Sequence, residues 1–297
     1  MIASQEQTIP TLLAIKSRAL VELLKPRLSM LVAFSCAFGY GLATRGSVDW
    51  FILSVLTLSG FLLSGASVAV NQIIERDFDK LMDRTKMRPL PTHRVSVSEA
   101  LIFACLCALI SLFLLWKFTN PLTVVLSMVS MALYCFVYTP LKRVGPVAVF
   151  VGAFPGALPP LLGWIASTGE ITHEAMIIFG IQFIWQFPHF WAIAWVADED
   201  YKRAGFKLLP SGGGRDLNTA IQIMIYTMFL IPLGLLPAKF GMTGLDSAIV
   251  ATVCGVLFFA QTFSLMKTGS RQSAKRIMFG SFLYLPVVQI AYLLDRI

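Results

Sequence analysis

Nine stretches of about 20 residues, each strongly apolar and nearly free of charge, recur along the chain at 28–44, 50–70, 98–116, 121–139, 146–166, 174–196, 218–238, 246–266 and 277–294. A run of that length is what an α-helix needs to cross a hydrocarbon core of roughly 30 Å. Nine of them leave no room for a separate soluble domain. The chain is 57% apolar and 13% charged over 297 residues, more apolar surface than one water-soluble core of this size can hide. The expected fold is therefore all-α: a polytopic integral membrane protein of about nine transmembrane helices. Residues 1–24 read as an amphipathic lead-in on the membrane surface. They lack the basic start, continuous apolar core and small-residue cleavage site of a removable signal peptide. Residues 25–297 read as a single transmembrane domain.

The net charge of +8 raises the question of nucleic acid, and the placement of the bases answers it. Twenty of the 24 Lys and Arg residues fall in the loops on one side, leaving Arg45, Lys117, Lys239 and Arg296 on the other. The positive-inside rule reads this split as a cytoplasmic amino terminus, and nine spans then put the carboxy terminus outside. Nucleic acid is not an expected partner. The five cysteines all lie within spans, where a thiol packs as a small apolar group. Cys105 and Cys107 point about 200° apart on a helix and cannot close around one metal.

Acidic groups at a membrane edge are costly and mark working sites. Eleven of the 16 lie on the inner side. The densest group follows the second span, in ASVAVNQIIERDFDKLMDRTKMRPLP. If that helix continues past Val70, then Asn71, Glu75, Asp79 and Asp83 form one stripe at i+4 spacing, whereas Asp77 lies about 240° around from Asn71. An amide oxygen and carboxylates on one face are hard ligands suited to Mg2+, which prefers a few carboxylates, water and substrate phosphate. A solvated helix end, with Glu75 paired to Lys80, is the plainer alternative. A second acidic group, WVADEDYKRAGFKLLP, closes the sixth span on the same side. There Asp198 and Lys202 share a face and Asp200 is turned away; a simple i,i+4 ion pair is again the alternative. Lys142 and Arg143 follow the fourth span on that side, as diphosphate partners or as ordinary inner-side anchors. Together the groups suit a diphosphate held at the membrane edge with its apolar tail in the bilayer, the description of a prenyl diphosphate. Developing negative charge on the leaving diphosphate would be stabilised by metal and cations.

The stretches NQIIERDFDKLMDRTKMRPLP, YTPLKR, GAFPGALPPLLGW, FIWQFPHFWAIAW and DEDYKRAGFKLLP resemble the UbiA-type intramembrane prenyltransferases, and within them the haem-farnesylating branch. The resemblance spans nearly the whole chain. It implies that Asn71, Glu75, Asp79 and Asp198 serve as metal ligands and catalytic groups, and Lys202 as a catalytic group that also contacts diphosphate. Arg84, Arg88, Lys142 and Arg143 would complete the diphosphate site. Glu75 stands where Asp is commoner, and Lys202 stands where quinone-making branches resemble a second Asp. The implied reaction joins the farnesyl group of farnesyl diphosphate to the vinyl group of haem b, with water capturing the resulting cation and Mg2+ as cofactor. No protein nucleophile is required. His189 could then ligate haem iron or meet a propionate, or be a structural hydrogen-bonder in a packed helix. Trp185 and Trp191, with Phe187, Phe190 and Trp195 around them, offer flat surfaces for a porphyrin, although an interfacial aromatic belt has the same composition. His93 and His173 receive no role. The implied setting is the bacterial cytoplasmic membrane with the active-site loops on its cytoplasmic side. Membrane lipid is a partner there, and haem-oxidase assembly proteins remain open as further ones. Two rival functions are prenylation of another aromatic acceptor such as a quinone precursor, and transport of haem or ions. Lys202 and the PHFW segment speak against the first. The gathering of charge at one membrane edge speaks against the second.

Overall fold

The structure, a computed structural model, describes residues 9–212 and 214–297, with side chains from Ala14 onward. In chain order the helices are α1 (Ile9–Leu23), α2 (Pro26–Ala43), α3 (Trp50–Ile74), α4 (Arg76–Asp79), α5 (Val97–Phe118) and α6 (Pro121–Ala132). A π-helical segment, Leu133–Tyr138, joins α6 to α7 (Thr139–Leu141). Then follow α8 (Val147–Thr168), α9 (His173–Val196), α10 (Asp198–Arg203), α11 (Leu217–Gly234), α12 (Leu236–Lys239), α13 (Leu245–Thr268) and α14 (Arg271–Leu294).

Among the described residues, eight helical stretches are long and apolar enough to cross a membrane, the first being Trp50–Ile74 and the last Arg271–Leu294. The chain is a multi-pass integral membrane protein. The ninth apolar run is α2, only 18 residues long and opening on Pro26 and Arg27. It nevertheless runs between the same two ends of the bundle. Lys25 precedes it at one end, and Arg296 donates to the Gly41 carbonyl at the other. Large apolar side chains such as Trp116, Phe136 and Leu283 stand exposed on the outside, as expected where lipid replaces water. All five cysteines are free, with Cys105 exposed and Cys107 buried, so they do point apart.

The first eight residues of the lead-in lie outside the described part. Its helix α1 buries Ala19 and Leu23, four apart, against Ala69, Leu90 and Val95, while Lys16 and Glu22 reach outward to ion pairs with Glu99 and Arg94. Helix α5 begins with a capping box in which Ser96 and Glu99 satisfy each other's backbone N–H groups.

Between helices in lipid there is little hydrophobic drive, so close packing of small residues decides which ones pair. Helices α2 and α8 meet this way. A Cβ on Gly39 would overlap the Pro160 carbonyl oxygen, and one on Gly163 would overlap that of Cys36. Helix α8 also carries Pro155, Pro159 and Pro160, each of which strips a carbonyl four residues earlier of its helical donor. The carbonyl of Gly156, freed by Pro160, accepts instead from Gln182 Nε2 at 2.9 Å. Gln186 Nε2 donates to the neighbouring Ala153 carbonyl at 2.8 Å. Pro160 thus accounts for Gln182 on an otherwise apolar face of α9, whereas Gln186 adds a second donor to a carbonyl that no proline frees.

Candidate active site

A cavity of about 410 Å³ opens between the helices. Its polar end is built from three chain segments that meet at one end of the bundle. Helix α3 stops at Ile74. Glu75, at φ −92° and ψ 4°, leaves the helical conformation, and the short α4 then carries Asp79 back toward the cavity. Asn71, Glu75 and Asp79 are all buried and all line the cavity. The stripe expected from i+4 spacing therefore holds for three members. Its fourth, Asp83, does not belong to it. The break at Glu75 and the end of α4 turn Asp83 to the surface, where it pairs with Lys86 at 2.7 Å and Arg203 at 2.6 Å. Asp77 is exposed and held by Arg76 and Lys80 at 3.0 Å each, bonds that lower its carboxyl to about 2. Lys80 is thus the partner of Asp77, and Glu75 pairs elsewhere.

Each buried acid faces a cation. Arg88 Nη1 donates to both oxygens of Asp79, at 2.8 and 2.7 Å. Lys142 Nζ lies 2.8 Å from Glu75 Oε1. Burial is the largest single influence on the Lys142 ammonium and pulls it down, but the charge and hydrogen bond of Glu75 with the nearby Tyr134 and Tyr201 together outweigh it and leave its pKa above the ordinary lysine value. Glu75 Oε1 is buried, and the Lys142 ammonium is its polar partner among the described residues. Asn71 is oriented by the π-helical segment. The Thr139 hydroxyl donates to the Tyr134 carbonyl oxygen at 2.8 Å and so accepts from Asn71 Nδ2 at 3.0 Å. That leaves Asn71 Oδ1 free of any hydrogen bond among the described residues.

The other expected residues divide. Arg84, Arg88 and Lys142 line the cavity with Tyr134 and Tyr138, and Lys142 Nζ sits 4.8 Å from the Tyr138 ring centre. Arg143 lies outside it, stacked 4.6 Å over the Phe78 ring. Asp198 is buried at the same end of the bundle, but neither it nor Lys202 lines the cavity. Helix α9 ends at Val196, and Ala197 turns Asp198 toward Arg215, 3.3 Å away, while Lys202 closes an i,i+4 pair at 2.9 Å from an exposed position. What α10 presents to the cavity is Tyr201, 5.9 Å from the Arg84 guanidinium. Asp200, expected to face away, ties the two acidic loops together by accepting from the backbone N–H groups of Asp83 and Arg84. At the apolar end, Trp185 and His189 line the cavity. Trp191 does not. It is turned into the α9–α11 interface, 5.0 Å from the Tyr226 ring, and its Nε1–H has no acceptor among the described residues. Phe190 shares the lining, Phe187 packs on Tyr226 and Trp195 is fully buried in the core.

Tyr134, Tyr138, Gln186, Tyr201 and one lysine of the cavity lining escape a reading of the sequence. Lys25 sits at the α1–α2 junction in the left-handed region, φ 44°, and lines the polar end. Burial first, then the charges of Arg88, Lys142 and Arg84, lower its pKa to about 7 against a smaller opposing pull from Asp79. Its only sequence signal is a lysine directly before the proline that starts a span on the acidic side.

Asn71 Oδ1, which accepts from no described donor, and the carboxylates of Glu75 and Asp79, held by Lys142 and Arg88, lie on one wall, an all-oxygen set that fits Mg2+. Among the described residues no three His, Cys, Asp or Glu side chains converge on one point.

The profile of the UbiA prenyltransferase family matches residues 32–285. A relative from Cytophaga hutchinsonii, named protoheme IX farnesyltransferase, is 52% identical over 285 residues, covering 96% of this chain and 100% of its own. Another of that name, from Christiangramia forsetii, is 44% identical and covers 93% and 92%. Among solved structures, a digeranylgeranylglyceryl phosphate synthase superposes with a TM-score of 0.77 at 17% identity, over 94% of this chain and 98% of that one. A UbiA homolog from Archaeoglobus fulgidus bound to GPP and Mg2+ gives 0.65 at 18%, over 92% and 99%. Fold, family profile and full-length relatives agree: the chain belongs to the UbiA prenyltransferase family.

Proposed function

We propose that the chain transfers the farnesyl group of farnesyl diphosphate to a vinyl group of haem b (protohaem IX), with addition of water, giving haem O and diphosphate. The observation that carries this reading is a single cavity with two unlike ends. One holds the Asn71 amide oxygen and the Glu75 and Asp79 carboxylates among Lys25, Arg84, Arg88 and Lys142, and the other is lined by apolar and aromatic side chains. A prenyl diphosphate has the same two halves. The names of the full-length relatives supply the acceptor, protohaem IX.

In this reading Asn71, Glu75 and Asp79 would hold Mg2+, which neutralises diphosphate charge as the allylic C1–O bond ionises. Arg88 and Lys142, now spent on Asp79 and Glu75, exchange those carboxylates for diphosphate oxygens as substrate enters. Asp198 completes the acidic rim when Lys202 is drawn to diphosphate, and Arg143 supports the rim from outside. Tyr134 and Tyr138 wall the ionising carbon from water. The site faces the cytoplasmic side of a bacterial membrane, where both the bases and the acids collect. Organic extracts of membranes from cells expressing the chain test the reading. The expected result is a haem heavier than haem b by one farnesyl group and one water. Prenylated quinone precursor without modified haem would favour the other acceptor class.

A further inference from the structure

His189 lies two turns before the end of α9, buried, on the cavity wall. Its Nδ1 is 2.7 Å from Ser281 Oγ. The one hydroxyl proton of Ser281 is donated to the Met278 carbonyl oxygen at 2.6 Å. Oγ must therefore accept from the imidazole, and Nδ1 carries the ring proton. Nε2 is left with its lone pair, and no described residue donates to it. The ring itself is clamped. Trp185, anchored by its Nε1–H on the Ser281 carbonyl oxygen at 3.0 Å, stacks on it at 4.4 Å and 17°, and Phe282 meets it edge-on at 4.8 Å.

Gln186 precedes His189 by three residues, so the two side chains are neighbours on one helix face, about 5–6 Å apart at Cβ. Its Nε2 is spent on the Ala153 carbonyl. Its Oε1 lies over Gly156, in space that a side chain there would fill, and accepts from no described donor. Two acceptors three residues apart on one helix, both residues on the cavity wall and neither acceptor met by a described donor, suit a small molecule with two donors, which is water.

We propose that His189 Nε2, assisted by Gln186 Oε1, holds and deprotonates the water that captures the haem-side cation, and that Ser281 is the positioning residue that fixes the tautomer. The inference rests on the function proposed above. In the step, the C1–O bond of farnesyl diphosphate breaks with its electron pair leaving on diphosphate, and the vinyl π pair forms the new C–C bond to C1. The cation left on the ring-side vinyl carbon takes a lone pair from the water oxygen. One water proton passes to Nε2, and the imidazolium returns it to solvent as the product leaves. Without the base, the cation can instead lose a proton from the adjacent carbon and give an alkene.

The test follows product partition in purified protein with haem b, farnesyl diphosphate and Mg2+. His189→Gln is expected to lower hydroxylated product by about a hundredfold, far more than it lowers diphosphate release, with a farnesylated haem lighter by one water accumulating. Ser281→Ala, which keeps the imidazole but frees its tautomer, should shift the partition the same way to a smaller extent. The ferric haem spectrum of the His189→Gln complex should match wild type. Unchanged hydroxylation in His189→Gln would overturn the proposal, as would loss of a histidine-ligated haem spectrum, which would make His189 an iron ligand. Should His189→Gln fail to insert, an unchanged partition in Ser281→Ala overturns it alone. Wild-type protein that makes no farnesylated haem would sink the underlying function itself.

Discussion

Lys25 shows how one residue's surroundings set a measurable behaviour. Its folded pKa of about 7 lies below the ordinary 10.5, so the unfolded chain binds more protons between those values. Stability linked to Lys25 is therefore present above that window and is lost as pH falls from about 10.5 to about 7, with no further loss below. A diphosphate arriving beside it reverses the balance by supplying negative charge. Binding of farnesyl diphosphate at pH 8 is expected to take up a proton, visible by calorimetry in buffers of different ionisation enthalpy. Lys25→Met should abolish that uptake; an unchanged uptake would show that Lys25 is not the group. The Glu75–Lys142 pair makes a second case. Removing one partner of a buried pair strands the other, at a typical cost of about 3 kcal/mol or more. Glu75→Gln should thus lower both thermal stability and turnover, whereas Glu75→Gln with Lys142→Met should restore much of the stability and none of the turnover. Recovery of turnover in the double variant would mean that Glu75 is structural only.

At the scale of elements, the π-helical segment and the break after α3 matter most. A π-turn shifts the register by one residue and is often found at functional sites. Here it delivers Thr139 beneath Asn71 and Tyr138 beside Lys142. Thr139→Val keeps the shape but removes the acceptor that orients the Asn71 amide. The expected result is a folded protein whose Mg2+ requirement rises about tenfold, the effect of losing roughly 1.4 kcal/mol. An unchanged Mg2+ dependence would leave Asn71 without a metal role. The apolar runs and the Asn71–Glu75–Asp79 stripe were legible because helical periodicity is written in the spacing of side chains. The exit of Asp83 was not, since it depends on the backbone of Glu75 leaving the helix. Nor was the turn of Asp198 toward Arg215, a partner 17 residues away across a loop. Trp191 is different: six residues after Trp185 it lies about 240° around the helix, so its absence from the cavity followed from spacing alone. The carbonyl of Gly156 freed by Pro160 is likewise legible, but its satisfaction by Gln182 required the pairing of α8 with α9.

For the whole molecule, the charge split and the cavity should agree on sidedness. A reporter active only outside the cytoplasmic membrane is expected to fail when fused after residue 90 or 205 and to work after residue 170 or 242; the reverse pattern would invert the orientation. The central claim is that buried acids at the cavity's polar end hold metal for haem farnesylation, while a neighbouring exposed acid does not. It is tested most directly by turnover of purified wild type, Asp79→Asn and Asp77→Asn with haem b and farnesyl diphosphate, with and without Mg2+. The expected result is that wild type and Asp77→Asn turn over alike and stop when Mg2+ is chelated. Asp79→Asn should fall more than about a hundredfold, the effect of ~3 kcal/mol on the ionisation step. Equal damage from the two substitutions, or wild-type turnover that survives chelation, would contradict the account.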